Sequence, residues 1–166
     1  MKKIIFIFHL SSLIFLTSCN PFAPKLDESS APIQFGDAHT VPGFFQAFKY
    51  AYEFKDTTTY GALLTQDFTF AYRNNNTGAD YLWSRDEDMR ATSKLFSNAE
   101  SISLNWQDVF YSSGTDTTYD ITRNFELIII FNGDEEHIVG RAAFYLERAS
   151  TADIWRAKLW QDQSNL

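Results

Sequence analysis

The chain has 166 residues, of which 45% are hydrophobic, 21% charged and 17% aromatic, with 16 Phe, 8 Tyr and 4 Trp. That length suits one compact domain rather than two, and so many aromatic rings supply a substantial core and exclude a wholly disordered chain. The formal net charge is −7; without Lys2 and Lys3, which lie in a segment read below as cleaved off, 12 basic residues face 21 acidic ones, or −9, a field that argues against nucleic acid as a partner.

Lys2 and Lys3 precede Ile4 to Leu16, a run of 13 residues that is apolar apart from His9, Ser11 and Ser12. A positive start and a short apolar run are the layout of a secretory signal. As a helix the run rises only ~20 Å, short of the ~30 Å hydrocarbon core, so a permanent span is disfavoured. It ends in Leu16-Thr17-Ser18-Cys19, which resembles the lipobox of bacterial lipoproteins. The resemblance implies cleavage after residue 18, acylation of the Cys19 thiol and attachment of the chain to a membrane of the cell envelope. Acyl chains anchor firmly because each buried CH₂ contributes roughly 0.8 kcal/mol. The plainer reading is an ordinary signal peptide with an incidental cysteine. Against it, Cys19 is the chain's one cysteine and has no disulfide partner. Asn20, where enteric lipoproteins retained in the inner membrane tend to carry Asp, points to the outer membrane, facing the periplasm.

All four prolines, Pro21, Pro24, Pro32 and Pro42, fall before residue 43. With Lys25, Asp27, Glu28, Ser29 and Ser30 and no sustained period, residues 19–41 read as a lipidated cysteine and flexible tether. The alternative is an ordered arm held by Ile33 and Phe35. The expected organisation is thus a signal peptide over 1–18, a tether over 19–41 and a domain over 42–166.

Pro42 suits a first helical turn, and Phe44, Phe45, Phe48, Ala51 and Tyr52 form one apolar stripe, predicting a helix to about Lys55. Asp56 offers a new cap for a shorter helix carrying Tyr60, Leu63 and Leu64. Residues 67–72 alternate as a strand, and Arg73 to Gly78 read as a loop. Ser84-Arg85-Asp86-Glu87 is a capping box opening a helix to about Phe96, packed through Met89, Leu95 and Phe96. The period then changes to two: Ile102, Leu104, Trp106 and Phe110 share one strand, Ser112 to Asp116 form a loop, and Ile121, Phe125, Leu127, Ile129 and Phe131 share the face of the next. Asn132-Gly133 is a strong hairpin signal. The chain returns through Ile138 to Arg148, turns over Ser150 to Asp153 and closes with Ile154 to Gln161. Helices followed by an antiparallel meander describe an α+β fold.

That order resembles the NTF2-like (SnoaL-like) cone, with N-terminal helices packed on a curved antiparallel sheet. Tyr60-Gly61-Ala62-Leu63-Leu64 leading to Asp67-Phe68-Thr69-Phe70 looks like the family's second helix running into its first strand. Trp155-Arg156-Ala157-Lys158-Leu159-Trp160-Gln161-Asp162 looks like its last strand. The likeness covers residues 42–163 and rests on architectural motifs, so it implies fold more than function. Within the fold the chain looks most like lipid-anchored, uncharacterised members.

Enzymes of this fold use Asp, His, Tyr or Arg pointing into the cone. Here His39 lies in the tether and His137 at a hairpin end, which disfavours a His-based dehydratase or cyclase. Asp56, Asp67, Asp108 and Asp162 are the acids nearest apolar segments; each is an acid candidate in a dry pocket or, more simply, a cap, turn bond or salt bridge. Arg123 and Arg141 would clamp a carboxylate or pair internally with Asp162 or Glu126. Tyr50, Tyr52, Tyr60, Trp106, Phe125, Trp155 and Trp160 would line an aromatic pocket or fill the core. Asp134-Glu135-Glu136-His137 superficially resembles a metal cluster but reads as a solvated tip, and no cofactor motif is present. The expected function is a non-catalytic, lipid-anchored envelope domain binding a small apolar ligand or a protein partner. The alternatives are a SnoaL-like isomerase, dehydratase or hydrolase using Asp with Tyr or Arg, and an assembly role with a homodimer through the sheet.

Overall fold

The computed structural model describes residues 35–74 and 78–164. The expected signal peptide, Cys19 and most of the expected tether lie outside the described residues.

Helix α1 (Val41–Glu53) starts where predicted, with Thr40 Oγ1 accepting the Gly43 amide at 3.0 Å and Pro42 in the first turn. Helix α2 (Thr57–Ala62) begins at the expected Asp56 cap, whose Oδ1 accepts the amides of Thr58 and Thr59 at 2.9 and 3.0 Å. Strand β1 (Leu64–Asn74) follows. Strand β2 (Ala79–Ser84), which no periodicity announced, pairs antiparallel with it. Helix α3 (Arg85–Asn98) opens at the capping box: Glu87 accepts the Ser84 amide at 2.8 Å, and the Ser84 hydroxyl turns to the same carboxylate at 2.7 Å.

Strands β3 (Ser101–Gly114), β4 (Thr118–Phe131), β5 (Asp134–Glu147) and β6 (Arg156–Asp162) complete a six-stranded sheet of order β2-β1-β6-β5-β4-β3. Two expectations are corrected here. Ser112, Ser113 and Gly114 belong to β3, paired with Ile121, Asp120 and Tyr119, because ladder bonds override their turn-like composition. Asp134 to His137 are strand as well, paired with residues 128–131 from the first position after the turn. The Asn132-Gly133 turn itself forms as predicted, with both residues at positive φ (51° and 85°), the primed geometry that matches the twist of a two-residue hairpin.

The three helices cover one face of the curved sheet. Between them lie Phe44, Phe45, Phe48, Tyr60, Phe68 and Leu146, all at most 2% exposed, packed largely edge-to-face. The last described part of the expected tether is ordered. The Ala38 carbonyl accepts the Trp155 amide at 2.8 Å, and Phe35 packs on Tyr50 with centroids 4.3 Å apart. A Cβ on Gly43 would run into the Asp37 carbonyl oxygen, so that glycine lets this arm lie against α1. No helix of the described residues is long and apolar enough to cross a membrane.

Candidate functional site

The concave face holds a partly open cavity of about 110 Å³. Phe48 and Tyr52 of α1 form one wall; Phe70, Leu104, Trp106, Phe125, Leu127, Ile138 and Trp160 form the sheet side, with Asp162 at the end of β6. These residues meet because each strand presents alternate positions inward: Trp106 pairs with Phe125, Phe70 with Trp160, and Leu104 with Leu127. Rings dominate the wall. Trp160 lies 4.8 Å from Phe70, 5.5 Å from Phe48 and 5.4 Å from Phe144, centroid to centroid. Trp106 is locked by a hydrogen bond from its Nε1 to the Phe45 carbonyl at 3.1 Å. By contrast, the Trp160 Nε1 is buried without a hydrogen-bond partner among the described residues. An orphaned indole donor beside an apolar cavity costs free energy until something accepts its hydrogen.

Of the residues singled out from sequence, Tyr52, Trp106, Phe125, Trp160 and Asp162 converge on this cavity. The others lie elsewhere. Tyr60 is fully buried behind Tyr52, their rings 5.6 Å apart. Trp155 is buried beneath the Arg148 guanidinium, and Tyr50 packs between Phe35 and Phe54. Arg123 donates from Nε and Nη2 to the Gln107 carbonyl (3.1 and 2.7 Å) and lies 5.0 Å from the Phe45 ring centroid, at the edge of the helical layer. Arg141 points away from the cone. Its strand neighbour Ala142 faces inward, which puts Arg141 on the outer face, 3.9 Å above the Phe110 ring. Neither arginine pairs with Asp162 or Glu126, and Glu126 instead contacts the His137 Nε2 at 2.7 Å. Asp67 is an exposed ion-pair partner of Lys158 at 3.0 Å, and hydrogen bonding to that ammonium holds its carboxyl below the usual range. Asp56 is the α2 cap. Among the described residues no group of three or more His, Cys, Asp or Glu side chains is placed to hold a metal ion.

The acid that stands out was not among the candidates. Asp88, on α3, is 3% exposed and accepts a hydrogen bond from the Tyr60 hydroxyl at 2.7 Å. Burial pushes its carboxyl up to about 6, only partly offset by that bond. The hydroxyls of Tyr52 and Tyr60 are raised too, again chiefly by burial, with the nearby Thr92 hydroxyl working the other way. The cluster is a small polar island sealed among Phe48, Phe96 and the helices; only the Tyr52 ring reaches the cavity. In sequence Asp88 was hidden as the third acid of a first turn, Asp86-Glu87-Asp88, where acids are ordinary.

No family model matches the sequence, and no curated protein does. Solved structures do. A protein of Novosphingobium aromaticivorans, provisionally named a scytalone dehydratase, superposes with a TM-score of 0.65 at 11% identity, covering 76% of this chain and 82% of its own. A conserved protein of Planctomyces limnophilus gives 0.65 at 12% identity over 75% and 92%. A protein of Streptomyces avermitilis, provisionally named a dehydratase of the NTF2-like family, gives 0.61 at 22% identity over 78% and 96%. At such identities the likeness concerns the fold alone. Helices on a curved six-stranded sheet, with a ring-lined cavity between them, give this chain the NTF2-like fold.

Proposed function

We propose that this protein is a lipid-anchored domain of the bacterial cell envelope, on the periplasmic face of the outer membrane, whose cone holds a small and mostly apolar ligand without transforming it. The anchor rests on Lys2-Lys3, the short apolar run and Leu16-Thr17-Ser18-Cys19. The observation that carries the binding reading is the ring-lined cavity of about 110 Å³, open at the Asp162 end, beside a Trp160 Nε1 with no partner among the described residues. A cavity of ~150 Å³ is known to accept benzene, so this one suits a ligand portion about one ring in size. The SnoaL-like enzyme alternative would rest on Asp88 and Tyr60, but the Tyr52 ring stands between that pair and the cavity. Binding is therefore the better-supported use.

Native mass spectrometry of protein drawn gently from its own envelope tests the reading. The expected result is an extra mass released on denaturation and absent from Leu104→Trp, which fills the cavity. An empty wild-type cone overturns it. The anchor is tested separately by palmitate labelling, expected in the wild type and lost in Cys19→Ser.

A second reading, self-association through the sheet, is favoured by the outer-face side chains Phe110, Val139 and Leu159, which are 64%, 59% and 37% exposed. A concentration-dependent dimer in sedimentation analysis, abolished by Phe110→Ser, is its expected signature.

A further inference from the structure

Resting on the ligand-binding reading above, we infer that the ligand is a cation: a small apolar body in the cavity carrying an ammonium-type head between Asp162 and the rings at the end of β6. Asp162 is the one charged residue in the cavity wall, and every other lining side chain is aliphatic or aromatic. Its carboxylate accepts from the Ser164 amide and hydroxyl, both at 2.9 Å, and makes no ion pair among the described residues. Other acids without a counter-ion cap helices or turns, as Asp56, Glu87 and Asp153 do, or are sealed away, as Asp88 is; Asp162 alone of them stands in the cavity wall. Two accepted hydrogen bonds leave a carboxylate with unused lone pairs, here half-buried against rings. An anionic ligand would be repelled there, and a neutral one would leave the charge uncompensated.

The surrounding rings complete the fit. Asp162 is in register with Tyr72 of β1, and Tyr72 lies 5.1 Å from Tyr81, 5.5 Å from Trp83 and 5.9 Å from Phe70. Phe70 in turn meets Trp160 in the cavity wall, so an unbroken aromatic surface runs from the cavity past the carboxylate to the sheet edge at Tyr81. Ring faces attract cations, quaternary ammonium groups above all, and a carboxylate beside them adds direct charge pairing. The cavity meets the Asp88 island only through Tyr52, whose hydroxyl also feels the Asp162 charge.

The test compares two probes of one shape on the full chain by ligand-observed NMR titration: benzyltrimethylammonium and its neutral isostere neopentylbenzene. The expected result is a preference for the cation of about tenfold or more, falling to near parity in Asp162→Asn, which keeps an oxygen for the Ser164 amide. Tyr72→Leu is expected to reduce the preference partway. Equal binding of the two probes overturns the inference while leaving the ligand-binding reading intact. Binding of neither overturns both. A preference that persists in Asp162→Asn overturns the assignment of the site to that carboxylate.

Discussion

Two aspartates sit under the same curved sheet and live in opposite environments. At the helical end, Asp88 is walled in by Tyr60, Tyr52, Thr92 and Phe96; its charge is disfavoured, and one phenolic hydrogen bond partly compensates. At the open end, Asp162 has Ser164 as its hydrogen-bond partner and rings as its neighbours. The contrast teaches that a perturbed carboxyl and a ligand-facing carboxyl need not coincide. Burial shifts the first, whereas access to the cavity qualifies the second.

The comparison breaks most dramatically if the helical end is emptied. Phe44→Ala removes a fully buried ring that meets Phe45, Phe48 and Phe144, and is expected to cost about 3–5 kcal/mol in urea unfolding. Next comes the proton linkage of Asp88. Its carboxyl is raised from 3.8 to about 6 in the folded protein, so the native state holds its proton more tightly than the unfolded chain. The resulting stabilisation is complete below pH 3.8 and is lost as the pH rises through about 6. The full swing is up to roughly 3 kcal/mol. Asp88→Asn should flatten the stability profile across that window in urea titrations at stepped pH, and an unchanged profile would assign the slope elsewhere. Tyr60→Phe takes the donor from Asp88 and is expected to cost ~1–3 kcal/mol and move the falling limb to higher pH. The smallest effect belongs to Asp67→Asn. It breaks an exposed pair with Lys158, and its change in melting temperature should vanish in high salt.

How far these regions could be read beforehand follows from how each residue advertises its environment. The α1 stripe and the inward faces of β4 and β5 announce themselves because one buried face imposes a period. Strand β2 does not: nearly all of Ala79 to Ser84 is exposed, so no alternation marks it. From sequence Arg141 stands as a possible carboxylate clamp in the cone. The pleat decides otherwise, since register with Asn124 sends it outward. Tyr52 on the α1 stripe and Trp106, Phe125 and Trp160 on their strands were legible as pocket candidates simply because large rings on buried faces must pack somewhere. Asp88 was not, because helix-terminal acids look alike until the neighbouring helices are in place.

The sheet order has a consequence for how the chain reaches its native state. Strand β6 lies between β1 and β5, so the β1–β2 hairpin joins the rest of the sheet through the final strand. During synthesis the first hairpin therefore waits with one edge open until nearly the whole chain has emerged. Such long-range, parallel closure is slow, and an unpaired edge invites association with other chains. A chain that closes its sheet with β6 leaves that hairpin edge on offer to other chains for longest, so a holding chaperone gains most by acting before β6 is made.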